Sequence, residues 1–225
     1  MFPCFDEGGL PLRNFFGYTF KSIVDSLALS LEEAYEKSSS LTLVAHDFGS
    51  YIALRYVSEY PKAVTKLVLL DVGVGIDERW WAIAIATSYR LWLALPVFLL
   101  SRLHNFVGLL MMILYPWKLI GPTPYETPET MCRNPREIRA FMAYPYFHLL
   151  LGALSFDKEL VPKFNSRIPT LFIYGTKKRC NFHASSFLTD LSNAKGCEHH
   201  ALNCGHWVQN EKAEEVVGLM RSWKV

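Results

Sequence analysis

The sequence predicts an α/β fold: a mostly parallel sheet flanked by helices, with a helical cap inserted between two stretches of sheet. Three observations carry this. Short, predominantly apolar runs at residues 41–45 and 66–70, with Thr42 and Lys66 as their polar members, enclose a helix-length segment, the pattern of parallel strands covered on both faces. Residues 76–160 show no strand-like alternation and are rich in Trp, Leu, Met, Phe and Tyr. From Pro169 onward, strand and helix signals alternate again, as in a sheet built by crossover helices.

Phe20, Ile23, Val24, Leu27, Leu31 and Tyr35 recur at three- and four-residue steps between Lys21, Asp25, Glu32 and Glu36, which predicts an amphipathic helix. Ser38, Ser39 and Ser40 break it before the strand at 41–45. A second helix is expected over 50–60, stopped by Pro61, and a second strand over 66–70. That strand ends at Asp71 and the glycine-rich Val72-Gly73-Val74-Gly75.

The insertion holds two apolar runs, 91–100 and 106–117, separated by Arg102, His104 and Asn105. Each is shorter than the roughly 20 residues that cross a bilayer, so a hydrophobic lid is expected, with peripheral contact of the cap to a membrane surface as the second expectation. A strand at 169–175, a helix at 184–191, a strand at 199–202, the loop Asn203-Cys204-Gly205-His206 and a helix at 212–223 complete the chain. The expected organisation is core residues 1–75, cap residues 76–160 and core residues 161–225.

Composition narrows the function. The 225 residues are 51% hydrophobic, enough for one sizeable core with an insertion. A net charge of +2 without long basic runs gives no support to a nucleic-acid surface. Five scattered cysteines, Cys4, Cys132, Cys180, Cys197 and Cys204, form no C-x-x-C pair, so reduced thiols in a cytoplasmic setting are expected, without a metal site. No basic segment precedes an apolar stretch at the start, so no secretory signal is expected. The oligomeric state is left open.

The chemistry centres on Leu41-Thr42-Leu43-Val44-Ala45-His46-Asp47-Phe48-Gly49-Ser50, an apolar run that stops at a small-His-Asp-aromatic-Gly turn and restarts with helical spacing. Ala45 and Gly49 are small because a sharp strand-to-helix turn brings backbone against backbone. Such elbows commonly present a serine; here the tip is Asp47. A carboxylate can attack carbon without a base to ionise it. The alternative is a helix N-cap, which Asp also favours.

This arrangement resembles the α/β-hydrolase superfamily, and His46-Asp47-Phe48-Gly49 resembles its epoxide hydrolase and haloalkane dehalogenase branch. The resemblance implies that residues 1–6 are the end of a strand and its loop, that the N-terminal strands of the sheet with their His-Gly loop, source of a second oxyanion donor, are absent, that Asp47 is the nucleophile and that the Phe48 backbone N–H is an oxyanion donor. It also makes His206, in Gly205-His206-Trp207, the base that activates water, the alternative being an ordinary loop histidine. The family commonly places the relay acid in a Gly-x-x-Asp pattern after its seventh strand, where this chain has Lys178, and a lysine cannot orient an imidazolium. A subset carries the acid after the sixth strand. Asp71 occupies that position, where an Asp is otherwise a loop cap.

Epoxide hydrolases use cap tyrosines to protonate the leaving oxygen, a role a phenol can fill. Tyr146, in Ala143-Tyr144-Pro145-Tyr146, is the candidate, with Tyr144 next; simple packing is the alternative for both. His46, Tyr144 and Trp207 are the candidate substrate contacts. Phe48 in place of Trp removes an indole donor that a leaving halide would use.

The resemblance therefore implies a hydrolase of an apolar, epoxide-like small molecule that acts through an alkyl-enzyme ester and needs no cofactor. An acyl hydrolase is the rival within enzymes, with no serine at the elbow tip. A non-catalytic homologue that binds lipid or a partner, or an inactive truncated form, is the rival outside them. Lys178 and the absent second oxyanion donor support that rival, since one such donor is worth about 10²–10³ in rate.

Overall fold

The computed structural model describes residues 15–37, 40–114, 140–154 and 162–224. The expectations for residues 1–6, Cys4, Cys132 and 115–117 lie outside them. The described residues divide into two compact units, one formed by 15–23, 84–114 and 140–154, the other by 24–37, 40–83 and 162–224.

The second unit holds the sheet. Its described elements are most of α1 (Phe20–Lys37), then β1 (Thr42–His46), α2 (Phe48–Glu59), β2 (Lys66–Leu70), the start of α3 (Trp80–Trp92), β3 (Thr170–Gly175), α6 (Ser185–Asn193), β4 (Glu198–Leu202), α7 (Val208–Glu211) and α8 (Ala213–Ser222). The four strands run parallel in the order β1-β2-β3-β4. Register pairs His46 with Leu70, Leu70 with Ile173, and Gly175 with Leu202. All four strands therefore end along one edge, where open α/β sheets place their ligands.

The two central strands are apolar after their first residues, Lys66 and Thr170, because helices cover both faces. On one, Val68, Leu70, Leu171 and Ile173 pack with Leu202, Cys204, Val208, Val216 and Trp223, the last four supplied by the final loop and by α7 and α8. On the other, Phe172 meets Phe187 of α6 at 5.2 Å between ring centres. Fully burying one such side chain contributes about 1.5–3 kcal/mol.

Strand β1 departs from expectation. It was expected to be covered on both faces, yet Val44 is 51% exposed. Among the described residues β1 is an edge strand, hydrogen-bonded only to β2. Its continuous hydrophobicity exceeds what this environment uses.

The first unit is helical. Its described part comprises the start of α1, the end of α3, a π-helical segment (Leu93–Leu99), α4 (Asn105–Leu114), a 3₁₀ turn (Ala140–Ala143) and α5 (Tyr144–Leu154). Pro96 lies inside the π-helical segment, where its missing N–H removes a regular helical bond. The expectation that both apolar runs are too short for a bilayer is corrected for the first. It continues α3 without a break, so Trp80–Leu99 is 20 residues long and apolar enough to cross a membrane by length and composition. Within it, Leu93, Ala94, Val97 and Phe98 are buried in the protein. Gly108 of α4 sits where an added Cβ would come within 2.6 Å of the Ala140 and Ser101 side chains, so α4 packs tightly there. On α4, Phe106, Leu110, Ile113 and Leu114 are exposed.

Candidate active site

The carboxyl edge of the sheet gathers the predicted chain of residues in one unit. Asp47 follows β1 with φ 53° and ψ −125°, and Asp71 follows β2 with φ 68°. Among the described residues these are the two non-glycine residues with positive φ. A side chain held in such a sparsely populated region costs about 1–3 kcal/mol, which the surrounding structure must offset. At the elbow, the Ser50 hydroxyl donates to the Ala45 carbonyl at 2.9 Å and the Ser50 N–H to the Asp47 carbonyl at 2.9 Å. A Cβ added at Gly49 would lie 3.9 Å from the Ala45 Cβ, so the turn has room for a methyl at that point.

The N-cap alternative for Asp47 is not realised. The residue stands at the N-cap position of α2, but its side chain makes no capping hydrogen bond. Its carboxylate is 44% exposed, and Oδ1 lies 3.7 Å from Nε2 of His206. That is beyond hydrogen-bond range but close enough for both groups to meet one small molecule.

His206 comes from the loop between β4 and α7. Its Nδ1–H donates to Oδ2 of Asp71 at 2.5 Å. Asp71 is fully buried; its Oδ1 accepts the Gly175 N–H at 2.9 Å and an ammonium hydrogen of Lys178. Burial alone would raise the Asp71 pKa, but the bond from His206 and the charge of Lys178 outweigh it, and the net shift is downward. Asp71 is thus an ionised acceptor that fixes the imidazole tautomer, leaving Nε2 to face Asp47.

Two close approaches set the His206 loop. A Cβ on Gly175 would fall 1.9 Å from the Gly205 carbonyl oxygen, so only glycine lets the end of β3 lie against this loop. Both carboxylate oxygens of Glu211 accept the Gly205 N–H at 3.0 Å. His46 packs under the site, donating from Nε2 to the His206 carbonyl at 3.0 Å, with its ring 4.8 Å from that of Trp207. Burial, then the charge of His206, lowers the His46 pKa. Phe48 opens α2, the place the oxyanion reading assigns to it.

Tyr144 and Tyr146 belong to the other unit. Tyr144 is fully buried and packs edge-on to Tyr18 at 6.5 Å and to His148 at 6.1 Å. The Tyr146 hydroxyl is hydrogen-bonded to the Tyr89 hydroxyl, a partner that the sequence reading had missed. Nothing in the sequence pattern marks the contributions of Lys178, Gly175 and Glu211. In the sequence Lys178 stands out only as a misfit at the acid's usual position. In space its ammonium meets Asp71, so it supports the imidazole's partner rather than replacing it.

A match to 58 residues of a cis-3-alkyl-4-alkyloxetan-2-one decarboxylase from Shewanella oneidensis is 36% identical and covers 26% of this chain and 18% of that enzyme. An epoxide hydrolase from Bacillus megaterium in complex with an inhibitor superposes with a TM-score of 0.64 at 19% identity, over 93% of this chain and 77% of that one. A mutant of it bound to its product, a naphthyloxy-propane-1,2-diol, gives 0.63 at 20% identity over the same shares. A marine microorganism esterase gives 0.52 at 13% identity, over 93% and 78%. At such identities the superpositions speak for the fold. The family described as alpha/beta hydrolase fold matches residues 3–213, and the chain therefore belongs to that family as a hydrolase of α/β fold.

Proposed function

We propose that this chain hydrolyses an apolar small molecule bearing a strained oxygen ring, an epoxide above all, with Asp47 as nucleophile. The observation that carries the reading is an uncapped, partly exposed Asp47 carboxylate 3.7 Å from an imidazole whose far nitrogen is held by a buried carboxylate.

Asp47 attacks a ring carbon, forming a carbon–oxygen ester bond as the ring carbon–oxygen bond breaks. The leaving oxygen takes a proton from a cap phenol, which we assign to Tyr146 with Tyr89 as its hydrogen-bonded partner. His206 Nε2 then removes a proton from water, which adds to the ester carbonyl, and the Phe48 N–H supports the oxyanion. Collapse of that intermediate releases a 1,2-diol and regenerates the Asp47 carboxylate, and the proton on His206 returns to the tyrosinate. Substrate and one water are consumed. His46 and Trp207 border the His206 ring and are the proposed substrate contacts of this unit.

The partial match to the oxetanone decarboxylase favours a second substrate class, the four-membered lactone, which also joins a strained carbon–oxygen bond to apolar chains. Loss of carbon dioxide from such a ring leaves an alkene and consumes no water, so the products separate the two readings.

The test is one turnover of an aryl or fatty epoxide in H₂¹⁸O. The label is expected in the Asp47 peptide before it reaches the diol, and Asp47→Asn is expected to abolish turnover. Diol labelled in the first turnover, or an active Asp47→Asn variant, ends the mechanism. Alkene from a cis-dialkyl oxetan-2-one, with no diol from epoxides, selects the lactone.

A further inference from the structure

Lys178 brings to Asp71 a buried charge that the proposed mechanism does not use. Lys178 lies three residues beyond the end of β3, its side chain 5% exposed, and its ammonium bonds to the Asp71 oxygen that His206 does not use. Its position over the Phe182 ring, 5.3 Å from the centre, gives the cation a second fixed neighbour. Phe182 in turn touches the His206 ring edge-on at 5.7 Å. One carboxylate thus serves two cationic candidates, and only one of them is always charged.

We infer that Lys178 is a positioning residue that balances the charge of Asp71, so that His206 rests as a neutral base and Asp47 rests without an ion-pair partner. The inference builds on the proposed mechanism. Consider the chain without this lysine. A buried carboxylate strongly favours a counter-charge, and the imidazole bonded to it is the nearest group able to supply one by binding a proton. A protonated His206 could not accept a proton from water, and its Nε2–H would be drawn toward Asp47 and blunt the nucleophile. With Lys178 in place the carboxylate's charge is already met. Asp71 still orients the ring, but its pull on the imidazole proton is weakened.

The other ionisable groups around His206 do not duplicate this. Asp47 faces Nε2 from the elbow and favours protonation. His46, from β1, is held toward its neutral form by burial. His183, before α6, is held neutral by burial and then by Lys178 itself, at about 4. Glu211, in α7, is engaged by the Gly205 N–H. The Cys204 thiol, in the same loop, is pushed up to about 11, first by burial, and is uncharged. Among the described groups Lys178 is the cation that meets Asp71 opposite His206.

The test reads the imidazole directly. NMR titration of the His206 ring in the substrate-free protein, assigned with His206→Gln, compares wild type with Lys178→Met, Lys178→Gln and Lys178→Arg. The neutral variants are expected to raise the titration midpoint by about one unit, a tenfold gain in imidazolium at a given pH, while Lys178→Arg stays near wild type. The acid limb of any measured pH–rate profile is expected to move the same way. An unmoved midpoint in a folded Lys178→Met protein overturns the inference, as does an equal shift in Lys178→Arg. Failure of both neutral variants to fold also overturns it, because the imidazolium is then expected to take over as the counter-charge. Because no substrate is present, the result stands apart from whether an epoxide is turned over.

Discussion

Replacing Asp71 by Asn keeps the shape of the side chain and removes its charge, which tests whether the carboxylate holds this edge of the sheet together. Asp71 is fully buried and accepts hydrogen bonds from Gly175, Lys178 and His206. Asn can accept at one oxygen only, and its amide would face either Lys178 or the His206 N–H, donor against donor. The larger penalty is the 5% exposed Lys178 ammonium left without its counter-charge. Removing one partner of a buried pair costs about 3–5 kcal/mol, out of a typical total of about 5–15 kcal/mol. For a domain of this size that lowers Tm by about 6–20 °C. Chemical and thermal denaturation at neutral pH measure it. The double variant Asp71→Asn with Lys178→Met is expected to recover most of the loss, since neither charge then remains. A single variant within about 1 kcal/mol of wild type, or a double variant no better than the single, would refute the reasoning.

Two further outcomes are expected. Gly175→Ala drives a methyl into the Gly205 carbonyl, 1.9 Å away, so the His206 loop must retreat. Turnover is expected to fall about 10²-fold, since displacements of this size disrupt aligned groups, with fold retained by circular dichroism. Wild-type turnover would show that the loop position is not critical. His183 is buried, packs edge-on against Tyr174 and Phe172, and has its pKa lowered to about 4, chiefly by burial and then by the charge of Lys178. Its folded-state pKa lies below the unfolded value of 6.5, so the unfolded chain binds more protons between the two. This contribution to stability is intact above pH 6.5, shrinks as pH falls and levels off near pH 4. It amounts to about 2 kcal/mol between pH 7.5 and 5. His183→Phe is expected to flatten that slope in urea unfolding, and an unchanged slope would assign it to other groups.

Much of this architecture is legible in the primary structure because it follows from local pattern. The apolar run at 66–70 and the strand at 170–175 have no polar alternation, and burial on two faces is the one environment that uses such runs in a parallel sheet. The helix spacings of α2, α6 and α8 follow from the need to cover that sheet. Asp47 was legible as well, since the small-His-Asp-aromatic-Gly turn describes its own geometry, and the folded residue takes a positive φ at its tip.

Asp71 and Lys178 are different. In one dimension Asp71 could be a loop cap and Lys178 a vacancy in a relay, because they stand 107 positions apart and no local rule links them. Register alone brings the ends of β2 and β3 side by side, and only there does the lysine's charge become the counterpart of the aspartate's. In the same way, nothing local marks Gly175 as the glycine on which the His206 loop rests, since the carbonyl that forbids its side chain arrives from residue 205. Patterns of neighbours along the chain therefore set the sheet, its helices and the elbow. The charge balance around the imidazole is decided by chain ends that parallel pairing brings together, because Coulomb and hydrogen-bond terms act over a few ångströms of space and take no account of sequence distance.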